Sequence, residues 1–313
     1  MPARSIPRGR FLTRPDDPKS DLTAGGRVGV RPFTMCRMGD VLAGNHAVWE
    51  FDRTTDSMII RFARGMRTPR LWHALGARRI PLEALSGVSL TAGRRGTVVL
   101  RACARVGADP LMEVAAGQLR EVCDPYRLVL PGDARGRAAA FAQALRERLG
   151  PAGPADRFLV SAPEPPLALK AYDARLAFDG GAVTFHWSRT GATSTKWKAG
   201  DQRYPLAALT GVEWHSADRP GGHLRLSVRD APGDPRPDHD LASAVFGVGY
   251  GAVHESLPFA ACVLAALRGR TPVASVPAPR PGGRLRHLSE LHGAGLLTDA
   301  EYAALCDRFA AEA

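Results

Sequence analysis

Lysine is almost missing from this 313-residue chain: of 42 basic residues only Lys19, Lys170, Lys196 and Lys198 are not arginine. Cysteine is sparse as well. Cys36, Cys103, Cys123, Cys262 and Cys306 are odd in number, widely spaced and without a C-x-x-C pair, which excludes a disulfide framework and a zinc ribbon. Long apolar runs are absent. The longest, Phe259 to Leu267, is half of the ~18 residues a membrane-spanning helix needs. The first residues never reach the apolar core of a secretory signal, so the expectation is a cytoplasmic protein. Hydrophobic residues at 45% and charged residues at 23% place the rest among globular chains.

The formal charge of +11 would ordinarily point to a polyanion. Its distribution weakens that reading. Residues 1–37 hold seven Arg and one Lys against three Asp, nearly half of the excess, in a stretch rich in Pro and Gly and without periodicity. Residues 1–38 therefore read as a disordered basic leader, or as sequence upstream of a true start at Met35 or Met38. No later stretch interleaves aromatics with basic residues, so nucleic acid is a disfavoured partner.

An internal repeat organises the remainder. Arg79-Ile80-Pro81-Leu82-Glu83-Ala84-Leu85-Ser86-Gly87-Val88 returns as Arg203-Tyr204-Pro205-Leu206-Ala207-Ala208-Leu209-Thr210-Gly211-Val212, with seven identities in ten positions. Val48-Trp49-Glu50-Phe51-Asp52 precedes the first copy as Arg175-Leu176-Ala177-Phe178-Asp179 precedes the second. The chain thus divides into repeat 1 at 39–150, a linker at 151–164, and repeat 2 at 165–271. Alternating runs predict six strands in repeat 1, at Ala47–Phe51, Ser57–Ala63, Ala77–Ile80, Gly87–Leu90, Thr97–Ala102 and Tyr126–Leu130. A helix over Ala134–Leu149 closes the unit, with Ala138, Phe141, Ala142, Leu145 and Leu149 on one face. Asp109-Pro110 opens a shorter helix in an insertion over 107–124. The expected fold is α+β, mainly β: two tandem pleckstrin-homology-like small antiparallel barrels, each closed by a C-terminal helix, with an α+β sandwich as the rival.

After a Pro-rich spacer at 272–283, residues 284–313 predict a C-terminal helical hairpin. Leu285, Leu288 and Leu291 mark one helix face, and Leu296 lies in the turn. Thr298 and Glu301 form a capping box before Tyr302, Leu305 and Phe309 at helical spacing. Two such helices bury too little to stand alone, so a homo-oligomer built through them is the expected assembly, with another protein or the repeats as alternatives.

The segment Leu285 to Phe309 resembles the short C-terminal domain of many bacterial proteins, which implies oligomerisation. The tandem unit resembles the actinobacterial family called domain of unknown function 4429, through Gly44-Asn45-His46, Trp49-Glu50-Phe51, the Arg-Ile-Pro-Leu repeat and Asp124-Pro125-Tyr126-Arg127-Leu128-Val129-Leu130. That resemblance implies an actinobacterial origin and no activity.

Motifs for chemistry are few. No Ser sits in G-x-S-x-G, and no P-loop occurs. Gly247, Gly249 and Gly251 form G-x-G-x-G, but position 252, where a dinucleotide site has its third glycine, is Ala252 and no acidic partner follows at the required spacing, so the stretch reads as a loop. Asp238-His239-Asp240 reads as a solvated loop, since three adjacent side chains of an extended chain do not face one ion. His287 and His292 lack the spacing of a zinc helix. No catalytic residue, metal or cofactor is called. The candidate ligand residues are Arg94 and Arg95 at a hairpin tip, and Lys196, Trp197 and Lys198 in a repeat-2 loop, all suited to phosphate or an anionic membrane surface. The expectation is a non-enzymatic binding or scaffold protein. Peripheral membrane binding through those loops is one alternative, and an enzyme with a cryptic site between the repeats is another.

Overall fold

A computed structural model describes residues 40–150, 152–231 and 233–270. The leader, the Pro-rich spacer and the hairpin, with its Leu285, Leu288, Leu291, Leu296, Tyr302, Leu305 and Phe309, lie outside the described residues.

Strict alternation builds the first sheet. Ala47, Trp49 and Phe51 point inward from β2 (Ala47–Asp52), as do Met58, Ile60 and Phe62 from β3 (Ser57–Phe62). With β1 (Val41–Ala43) and β4 (Ala77–Pro81) they form an antiparallel meander, in the order β1-β2-β3-β4. A one-and-a-half-turn helix, α1 (Arg70–Leu75), lies between β3 and β4. A second meander follows, of β5 (Leu85–Ala92), β6 (Val98–Ala104) and β7 (Arg127–Leu130). Between β6 and β7, Asp109 caps α2 (Pro110–Ala115) by accepting from the Leu111 amide at 2.9 Å. Helix α3 (Arg135–Arg146) lays Ala138, Phe141, Ala142 and Leu145 on β5, where Phe141 and Leu145 contribute about 1.5–3 kcal/mol each by burial.

Repeat 2 copies this order. Strands β8 (Leu167–Lys170), β9 (Ala174–Phe178), β10 (Ala182–Trp187) and β11 (Gln202–Pro205) form the four-stranded sheet, with α4 (Ser194–Ala199) between the last two. Strands β12 (Leu209–His215), β13 (His223–Val228) and β14 (Ser243–Val245) form the three-stranded sheet, and α5 (Val253–Arg270) closes the unit.

The repeated ten residues are the corner where the chain passes from one sheet to the other. Pro81 and Pro205 end a strand, and short 3-10 turns at Leu82–Ala84 and Leu206–Ala208 change its direction. A β-bulge follows in each copy, between Leu85 and Gly87 and between Leu209 and Gly211. The Ser86 hydroxyl donates to the Cys103 carbonyl at 3.2 Å, and the Thr210 hydroxyl to the Ser227 carbonyl at 3.2 Å, so the Ser/Thr exchange keeps the bond. The leading arginines pair with the aspartates that end the second strand: Arg79 with Asp52 at 3.1 Å and Arg203 with Asp179 at 3.3 Å.

Two expectations change. Among the described residues no strand pairing joins the four-stranded to the three-stranded sheets, so the repeats are mixed α/β units of paired open sheets and not closed barrels. Repeat 1 also has one strand more than the six read from its sequence. The extra one, β1, is only three residues long and too short to show alternation.

The two repeats share a core. Helix α5 is apolar all round, with Leu257, Phe259, Ala260, Ala261, Cys262 and Val263 buried, because one side packs on β8 and β12 and the other on α1 and α2 of repeat 1. Gln118 locks the junction: its amide donates to the Trp214 carbonyl at 2.9 Å and accepts from the Ser216 amide at 3.0 Å. Arg268 at the end of α5 pairs with Glu113 of α2. No helix among the described residues is long and apolar enough to cross a membrane.

Candidate functional site

The residues singled out in sequence separate on folding. Arg94 and Arg95 are exposed at the β5–β6 turn, Arg95 with a left-handed φ of 53°. Trp197 and Lys198 are exposed on α4, whose first turn is capped by Thr193. Lys196 is different, and its assignment as a loop cation is corrected. Its side chain is 0% exposed.

The Lys196 ammonium donates to Asp173 Oδ2 at 2.6 Å and to the carbonyls of Pro237 and Ser243, each at 2.8 Å. It also lies 4.9 Å from the centre of the Trp187 ring. Every donor is used, so the group is a clamp that joins α4, the β8–β9 turn and the chain around β14. Asp173 completes the clamp by accepting from the Val245 amide at 2.8 Å. Burial lowers the lysine pKa and raises that of the aspartate, and the partner opposes the shift in each case.

Repeat 1 holds its own buried network. Arg78 donates to both Asp109 oxygens at 3.0 and 2.9 Å, and the Tyr126 hydroxyl donates to Asp109 Oδ2 at 2.7 Å. Burial works against the Arg78 charge, and Asp109 and Tyr126 overcome it, holding its pKa above the ordinary arginine value. Burial and Asp109 hold the Tyr126 phenol protonated.

Asp240 also departs from the solvated loop read at 238–240. It is buried, pairs with Arg225 at 3.1 Å and accepts from the Ala242 amide at 2.9 Å. Asp124 does the same in repeat 1, with Arg101 at 3.0 Å and the Tyr126 amide at 2.9 Å. Asp240 is therefore the repeat-2 copy of a structural latch before the last strand. Among the described residues no group of three or more His, Cys, Asp or Glu is placed to hold a metal ion.

A further feature lies on the outer face of the four-stranded sheet of repeat 2. An open cleft of about 690 Å³ is lined by Lys170, Arg175 and His186, with Tyr172, Trp187 and Tyr250 among its walls. Strand register sets the three basic residues side by side: Lys170 faces Arg175 across β8–β9, and Arg175 faces His186 across β9–β10. Like charges directly opposite one another cost stability. Lys170 lies 5.1 Å from the centre of the Tyr250 ring, and His186 Nδ1 is 2.7 Å from Asp201. Arg175 has no carboxylate partner among the described residues. The same register positions in repeat 1 are Ala43, Val48 and Arg61, and there Arg61 pairs with Glu50.

Sequence reasoning missed this row. Lys170, Arg175 and His186 sit at irregular intervals along the chain, and only the pairing of three strands makes them neighbours. The available signal was the exposed phase of each strand, which alternation does supply once the register is known.

No curated protein matches the chain. One family model matches twice, over residues 49–146 and again over 176–264, the two stretches that the shared topology and the repeated corner also mark off. The chain therefore belongs to the family described as Domain of unknown function (DUF4429), and carries its domain in tandem.

Proposed function

We propose that this protein is a non-enzymatic binding protein whose second repeat holds an anionic group, phosphate or carboxylate, against Lys170, Arg175 and His186. The carrying observation is the row itself. Lys170 and Arg175, directly opposite one another, with no carboxylate on Arg175 among the described residues, cost folding energy that a bound anion would offset. A non-enzymatic role is favoured by the buried ionisable groups, which are spent on one another in Arg78–Asp109–Tyr126 and Lys196–Asp173.

In this reading each repeat is a pleckstrin-homology-like unit, supported by its four-stranded and three-stranded meanders and its closing helix. Repeat 1, with neutral residues at two of the three positions, serves as the rigid support of repeat 2. The C-terminal hairpin assembles the chain into a homo-oligomer, which multiplies a weak single site by avidity.

The test is a thermal-shift and tryptophan-fluorescence titration with inorganic pyrophosphate, since Trp187 lines the cleft. Saturation to 100 times Kd stabilises a one-site protein by about 2.7 kcal/mol, which is readily measured. The wild type should gain stability and the Arg175→Ala variant should not. Equal responses from the two would refute the assignment.

A further inference from the structure

The loops at this end of repeat 2 carry three exposed side chains with apolar surface. Tyr172 in the β8–β9 turn is 49% exposed, Trp197 on α4 is 51% exposed, and Val248 between β14 and α5 is 101% exposed. Val248 stands at the tip of a tight turn: the Tyr250 amide donates to the Gly247 carbonyl at 2.9 Å, and Gly249 has a φ of 80°. That positive φ after an ordinary residue defines a type II turn and requires glycine. The turn is packed and not loose, because Gly247 lies against the Tyr172 ring and Tyr172 and Tyr250 meet edge to face at 6.0 Å.

The Lys196–Asp173 clamp holds these loops at one end of repeat 2. Tyr172 precedes Asp173 in the chain, Trp197 follows Lys196, and the Val245 amide that bonds Asp173 leads into the Val248 turn. Burying the fully exposed valine and the half-exposed tryptophan would be favourable. Cations alone would suffice for a small anion or a soluble polyanion. Aromatic and aliphatic tips beside basic side chains match a bilayer interface, where aromatic rings settle at the headgroup level and Lys and Arg meet lipid phosphates.

We infer that the anion of this cleft is presented by a lipid surface: Lys170 and Arg175 engage anionic headgroups while Trp197 and Val248 insert at their level. The inference rests on the anion-binding reading above and adds the bilayer as its source.

The full chain would be sedimented with phosphatidylcholine vesicles, with and without phosphatidylserine, and pyrophosphate binding measured in parallel. Pelleting should require phosphatidylserine and weaken with added salt. Arg175→Glu should lower vesicle affinity by about tenfold or more and abolish pyrophosphate binding. The Trp197→Ala/Val248→Ser pair lies outside the cation row and changes no charge. It should lower vesicle affinity by a similar factor of about ten while leaving pyrophosphate affinity unchanged. If the wild type binds pyrophosphate but does not pellet, the lipid inference is overturned and the anion site stands. If the apolar variant pellets like the wild type, Trp197 and Val248 do not insert and the inference of a headgroup-level docking surface is overturned. Failure of both assays removes both readings.

Discussion

Lys196→Met and Lys198→Met make the same chemical change two residues apart on one short helix, and the structure predicts opposite outcomes. Lys198 is exposed, so its replacement should alter stability by no more than about 0.5 kcal/mol. Lys196 is fully buried with three acceptors within 2.8 Å. Methionine matches its length and leaves Asp173, the Pro237 carbonyl and the Ser243 carbonyl without their common donor. Breaking a buried pair by removing one partner costs about 3–5 kcal/mol. At about 2–4 °C per kcal/mol for a body of this size, the midpoint of thermal unfolding should fall by roughly 6–20 °C. Urea unfolding followed by tryptophan fluorescence would measure both variants against the wild type. Adding Asp173→Leu to Lys196→Met should recover part of the loss, since it removes the stranded carboxylate. A Lys196→Met protein that unfolds at the wild-type midpoint would refute the clamp.

Gln118→Ala removes both bonds across the repeat junction and leaves the Trp214 carbonyl and Ser216 amide short of partners; the expected cost is about 1–3 kcal/mol, read as a lower urea midpoint. Asp52 is held at about pKa 2, below its ordinary 3.8, first by the Thr55 hydroxyl and then by Arg79. A depressed acid contributes stability that is complete above its unfolded pKa and lost as pH falls through the folded one, so Asp52→Ala should flatten the loss of stability between about pH 4 and 2, measured by urea midpoints across that window. Light scattering after size exclusion should find the full chain oligomeric and a chain ending at Pro277 monomeric; two monomers would end the assembly proposal.

The predicted elements that survived folding were those specified by short-range patterns. The Asp109-Pro110 cap, the spacing of Ala138, Phe141, Ala142 and Leu145, and the alternation around Trp49 and Phe51 are each complete within a dozen residues. The failures share a different cause. Helix α4 is illegible in sequence because Ser194 to Ala199 has no apolar periodicity, and its one buried residue is a lysine. Asp240 looks solvated in sequence because its burial depends on Arg225, fifteen positions away on β13.

By itself, then, the sequence determined that two similar units follow one another, that each carries the same ten-residue stretch around Pro81 or Pro205, and that most strands of repeat 1 and the closing helices lie where alternation and helical spacing put them, since these depend on neighbours along the chain. Tertiary structure alone decided that Lys196 is buried while Lys198 is not, that α5 is shared between the repeats, and that Lys170, Arg175 and His186 meet on one sheet face. Those outcomes depend on strand register and on which surfaces pack together. Both are set by the free energy of the whole fold, and no local stretch of residues encodes them.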